Sequence, residues 1–102
     1  MVNENLSILH PYFDAISRGA KTVEYRDMTP YYVGKFVDVE KYDGRNEYEI
    51  VELLRNGGKF YPRKIDTITF FCNDRKMVVE VKEVRVYAHH TTFAIKLGRK
   101  IS

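Results

Sequence analysis

A single cysteine, Cys72, leaves this 102-residue chain unable to form an internal disulfide, so a reducing compartment, the cytoplasm, is its expected setting. Long apolar runs are missing as well. Nothing approaches the roughly 20 apolar residues of a membrane-spanning helix. The opening MVNENLSILHPYF lacks the apolar core of a signal peptide, and no membrane partner is expected. There is no glycine-rich phosphate loop, no GxSxG elbow and no HExxH helix. CxxC and HxxxH spacings are absent too, and adjacent histidines such as His89-His90 point apart on a strand, so no metal and no cofactor is expected. Repeats, low-complexity tracts and linkers are lacking, which makes residues 1–102 one domain. Nor is there an acidic excess. The net charge is +3 with a pI near 9.0, which permits a polyanionic partner without requiring one.

What the chain has is apolar and aromatic mass. Apolar residues make up 44% and charged residues 30%, enough to bury a core. Eight tyrosines and six phenylalanines stand in for the missing tryptophan. Most belong in the core, and some tyrosines have the flat face that stacks on a base.

The local patterns predict helices in the first half and strands in the second. NLSIL, residues 5–9, reads as a strand. Pro11 suits the first turn of a helix, Phe13, Ile16 and Ala20 share one helical face, and Gly19 ends it. Residues 21–26 favour a strand, with Val23 and Tyr25 toward the core and Thr22, Glu24 and Arg26 toward a cleft or solvent. Thr29-Pro30 opens a second helix carrying Tyr32, Val33, Phe36 and Val37, and one of Tyr31 and Tyr32 is expected to pack inward. Residues 47–56 place Glu47, Ile50, Val51 and Leu54 on one face of a third helix, which Gly57-Gly58 stops. A hairpin around Asp43-Gly44 is the competing pattern over residues 36–53.

DTITFFC, residues 66–72, MVVEVKEVRVY, residues 77–87, and residues 93–97 read as strands, with a hairpin loop at 73–76. The apolar parity flips near Lys82 and Glu83, as a β-bulge in a curving strand would require. The expected class is α+β: a small curved sheet or partial barrel of about five strands with helices packed on it.

Lys21, Glu24 and Arg26 crowd the start of the second strand. Two readings stand. Charges on the outer face of a strand pair in solvent and add little stability. At the mouth of a cleft, Glu24 would instead orient a cation that takes a phosphate, a carboxylate or a base edge.

The pattern Gly19-x-Lys21-x-x-Glu24-x-Arg26, after a short Pro-started helix, resembles the signature of the ASCH domain family, which is similar to the RNA-binding PUA domains. The order of elements agrees over most of the chain, through the closing FAIKLGRKI. Residues 30–60 match loosely and read as a helical insertion. The resemblance implies a PUA-like β-barrel whose cleft, beside the first helix, is lined by Lys21, Thr22, Glu24 and Arg26 and recognises RNA or a modified nucleotide. Asn73 and Arg75, in one basic-leaning loop, and His90, between the last two strands, are further candidate contacts. Pro62-Arg63-Lys64 and Lys96, Arg99 and Lys100 are either solvated or an outer rim of phosphate contacts.

Some ASCH-like proteins are small amidohydrolases of acetylated cytidine, with a lysine beside a threonine nucleophile and a glutamate from a later segment. Here Glu24 occupies the threonine's position, and the later segment, YAHHTTF, has no acidic residue. Other members act on RNA as nucleases. If the chain is a hydrolase of nucleoside amides or RNA, Lys21 and Glu24 are the residues to carry proton transfer.

Overall fold

The computed structural model describes residues 1–87 and 89–102. Among them the elements run β1 (Asn3–Ser7), α1 (His10–Ser17), β2 (Val23–Asp27), α2 (Pro30–Phe36), a 3₁₀ turn (Val39–Tyr42), α3 (Glu47–Arg55), β3 (Thr67–Cys72), β4 (Arg75–Tyr87) and β5 (Thr92–Lys100). The class is α+β, with five strands in one sheet ordered β1-β3-β4-β5-β2. β1 runs parallel to β3 with Leu6 opposite Phe70, and β3 runs antiparallel to β4 with Phe70 opposite Met77. No helix is long and apolar enough to cross a membrane among the described residues.

Local chemistry accounts for most boundaries. Pro11 sits in the first turn of α1, where its missing N–H leaves no bond unmade. Thr29 caps α2 by accepting the Tyr32 N–H at 3.3 Å, and Pro30 follows it in the first turn. Asn46 and Glu49 cap α3 reciprocally: Glu49 N–H donates to Asn46 Oδ1 at 2.9 Å, and Asn46 N–H donates to Glu49 Oε1 at 3.0 Å. This box favours helix over hairpin across residues 47–55. Gly57 leaves α3 at φ 82°, in the left-handed region that glycine enters without a Cβ clash.

Two expectations need correction. The first strand ends at Ser7 rather than Leu9, which is 69% exposed. Leu9 is the extended residue that caps α1, so it has left the strand and serves the helix. Ala20 is exposed rather than on the buried face of α1, because the helix stops at Ser17, three residues before it.

The chain divides into two compact units. The first comprises Met1–Glu24, Ile65–Glu83 and Ile95–Ser102; the second comprises Tyr25–Lys64 and Val84–Ala94. β2, β4 and β5 contribute residues to both. The first unit buries Leu6, Phe13, Ile16, Ile68, Phe70, Met77, Val79, Ile95 and Leu97. Phe13 and Ile16 are the apolar side of α1. In β4 the buried positions change from Met77 and Val79 to Val84, the parity change legible in the sequence.

The second unit buries Met28, Val33, Phe36, Ile50, Leu54 and Phe93 almost completely. Residues 30–60 therefore supply much of this unit's core. Rings from three segments meet there: Phe93 lies 5.4 Å from Phe36 and 6.0 Å from Phe60 between centroids.

Tyr42 closes the same unit. Its hydroxyl donates to Lys59 O at 2.9 Å and accepts the Tyr61 N–H at 2.8 Å, so one buried phenol satisfies two backbone groups of the following loop. Burial holds the Tyr42 pKa above the ordinary phenol value, against the lowering effect of the Tyr61 hydrogen bond. A raised folded-state pKa contributes stability that is fully present below the unfolded value and lost as pH rises through the folded one. Tyr42→Phe is expected to cost about 1–3 kcal/mol at neutral pH by stranding both backbone groups. The gap to the parent protein should narrow above pH about 10. Urea melts across that range check this, and a gap that stays constant refutes the linkage.

Candidate functional site

In the first unit, the chain leaving α1 folds back onto it. Gly19 takes φ 78°, and the Ala20 and Lys21 N–H groups donate to Ala15 O at 2.9 and 3.1 Å. Lys21 is thereby tied to α1 just before β2 begins. Its Nζ lies 3.4 Å from Glu24 Oε1, with 22% of the lysine side chain and 8% of the glutamate side chain exposed. The same ammonium lies 5.5 Å from the centroid of the half-exposed Tyr12 ring. A buried carboxylate, a lysine with limited exposure and an accessible aromatic face thus share one corner of the unit. Thr22, between Lys21 and Val23, is exposed, and its carbonyl accepts the Leu97 N–H at 2.9 Å.

The alternation expected along β2 is present, but Tyr25 is not in the core. Glu24 is buried, while Tyr25 is half exposed and rests against the exposed Tyr87 at 5.9 Å. The physical reason is pairing: Glu24 has Lys21 beside it and can be buried as a charge-assisted pair. Tyr25 keeps its ring against another ring at the surface.

Arg26 belongs to the second unit. Its Nη1 donates to the Tyr32 hydroxyl at 2.9 Å, and its guanidinium lies 5.6 Å from the centroid of that ring. Tyr32 in turn stacks on Phe36 at 5.9 Å and 7° between planes. Tyr32 is the inward member of the expected pair, and Tyr31 is 66% exposed.

The remaining candidates lie elsewhere in their units. Asn73 takes φ 56° in the tight turn joining β3 to β4 and is exposed. Arg75 engages α1: its Nη1 donates to Asp14 Oδ1 at 3.0 Å and to His10 Nε2 at 3.3 Å, and its guanidinium lies 4.5 Å from the Phe13 centroid. His90 is exposed at φ 65°, next to Gly57. Of the segment YAHHTTF, Ala88 lies outside the described residues. No three His, Cys, Asp or Glu side chains converge as a metal site would require, among the described residues.

Sequence reasoning missed one side chain and left another undecided between two neighbours. Tyr12 is next to Pro11 on α1, outside the Phe13–Ile16 face, and that position was its one available signal. Tyr32 stands one turn before Phe36, the spacing at which rings on a helix meet. It also missed a cleft of about 390 Å³ in the second unit, lined by Met28, Thr29, Pro30, Tyr48, Val51, Glu52 and Arg55. Arg55 Nη2 donates to Met28 O at 3.0 Å within this lining.

Comparison of the chain with protein-family models, with curated proteins and with solved structures finds no match.

Proposed function

We propose that this chain is an RNA- or nucleotide-binding domain of the ASCH type, PUA-like in its barrel, that takes the phosphate or base edge of its ligand at the GxKxxExR motif. The observation that carries this reading is the Lys21–Glu24 pair. Apolar residues of similar volume stabilise a buried position as well as an ion pair or better, because two charges must lose water to be placed there. A carboxylate turned inward on β2 therefore calls for a use, and fixing the direction of the Lys21 ammonium is one. The half-exposed ring of Tyr12 beside that ammonium supplies a surface on which a base can stack. Arg26, two residues further on, is held by Tyr32 and belongs to the same motif. The buried free thiol of Cys72 accords with a cytoplasmic setting.

Fluorescence anisotropy with a labelled single-stranded RNA, and calorimetry with the nucleoside monophosphates and acetylated cytidine, test the proposal. Lys21→Ala is expected to weaken binding by about 10- to 100-fold, the span of one charge-assisted hydrogen bond. Equal binding by Lys21→Ala and the parent protein removes the proposal. Turnover of RNA or acetylated cytidine that disappears in Glu24→Gln reassigns the pair to catalysis.

A further inference from the structure

The cations of this chain differ in what they face. Lys21, Arg75 and Arg99 each face a carboxylate, on Glu24, Asp14 and Glu80 respectively. Lys41 and Lys59 do not. Their ammonium groups lie 5.6 and 5.0 Å from the centroid of one ring, Tyr61, and among the described residues neither makes a hydrogen bond or an ion pair. Asp38, Glu40 and Asp43 belong to the same stretch of chain, each within five residues of Lys41, and their carboxylates pair with neither ammonium.

The Tyr61 ring is firmly placed. Tyr61 O accepts the Asp38 N–H at 2.9 Å, Tyr61 N–H donates to the buried Tyr42 hydroxyl at 2.8 Å, and the two tyrosine rings meet edge to face at 5.4 Å. Val37 and Pro62 form a β-bridge just beyond, and Arg63 Nη1 donates to Lys35 O at 3.0 Å. The loop around Tyr61 is thus held by backbone bonds on both sides, and both lysines are exposed. Two like charges drawn to one ring repel each other, and an anionic ligand that contacts them relieves the repulsion while gaining charge-assisted bonds.

We propose that Lys41 and Lys59, held about the Tyr61 ring, form a phosphate-binding site in the second unit that takes the backbone of single-stranded RNA. The inference rests on the RNA-binding reading but uses none of the residues of the GxKxxExR motif. A polynucleotide is the occupant that fits an exposed pair of lysines on a firmly held loop. Repeated phosphates hold each weak contact through the others, and every phosphate neutralised releases a counterion.

The test is the salt dependence of binding to a labelled oligouridylate between about 50 and 200 mM KCl. Each lysine that neutralises a phosphate of a single strand contributes about 0.7 to the slope of log K against log salt. The double variant Lys41→Ala/Lys59→Ala is expected to lower that slope by about 1.4. Circular-dichroism melts should stay unchanged, since both side chains are exposed. An unchanged slope in the double variant overturns the inference. If Lys21→Ala also weakens binding, that result leaves the motif's role intact. A lowered slope with full binding by Lys21→Ala does the reverse: it upholds the lysine pair and removes the motif. Competition by inorganic phosphate at concentrations matched to the oligonucleotide's phosphates, lost in the double variant, assigns the site to a free anion and overturns the polynucleotide reading.

Discussion

Phe93→Ala is expected to cost about 3–5 kcal/mol, the largest loss from any single truncation considered for this chain. Phe93 is fully buried and meets Phe36 of α2 and Phe60 of the following loop, so one ring joins β5 to two segments of the second unit. Removing it forfeits the transfer free energy of the ring and leaves a cavity that two neighbouring rings fill only in part. Domains of this size hold about 5–15 kcal/mol in total, so a large share of the stability disappears. Each kcal/mol shifts the melting temperature of a domain of about 100 residues by roughly 4–8 °C, which places the expected drop at about 12–40 °C. Urea titration at constant slope measures it directly. Phe93→Leu, which keeps most of the volume, should lose far less, and equal losses from the two variants would contradict the packing argument.

The second large effect separates stability from function at the candidate site. Removing one partner of a buried ion pair leaves the other uncompensated and typically costs 3–5 kcal/mol. Lys21→Met should fall toward or below the lower end, at about 2–3 kcal/mol, because the lysine side chain keeps 22% of its surface in water. The double replacement Lys21→Met/Glu24→Leu removes both charges and adds apolar volume, and it is expected to return to within about 1 kcal/mol of the parent protein. Glu24 and Lys21 make further interactions, which limits that recovery. Ligand binding, by contrast, should be lost in the double variant as fully as in Lys21→Ala. A stable double variant that still binds its ligand would make the pair a structural feature alone. A double variant as unstable as Lys21→Met would show that the two charges are not coupled.

Local sequence was enough to place most of the elements. Pro11, Thr29-Pro30 and Gly57-Gly58 mark where helices start or stop, because caps and turns are decided by residues one to four positions apart. The same holds for the strands of the last third, where β-branched and aromatic residues run between turn residues. The site was legible only in part. The Lys21–Glu24 pair spans three residues and could be read as a unit, while its neighbour Tyr12 could not, since nine residues and a reversal at Gly19 separate them. The partner of Arg26 lay on α2, and the Tyr61 site joins Lys41 to a loop 18 residues later.

The sequence by itself determined which stretches become helix and strand and that the side chains of β2 alternate, since both follow from backbone sterics and near neighbours. Alternation makes two faces but does not say which of them is covered. Only the tertiary structure decided that Glu24 turns inward and Tyr25 outward. That choice depends on the long-range bonds that seat the strand, such as Leu97 N–H to Thr22 O, and on a cation close enough to Glu24 to accompany it out of water.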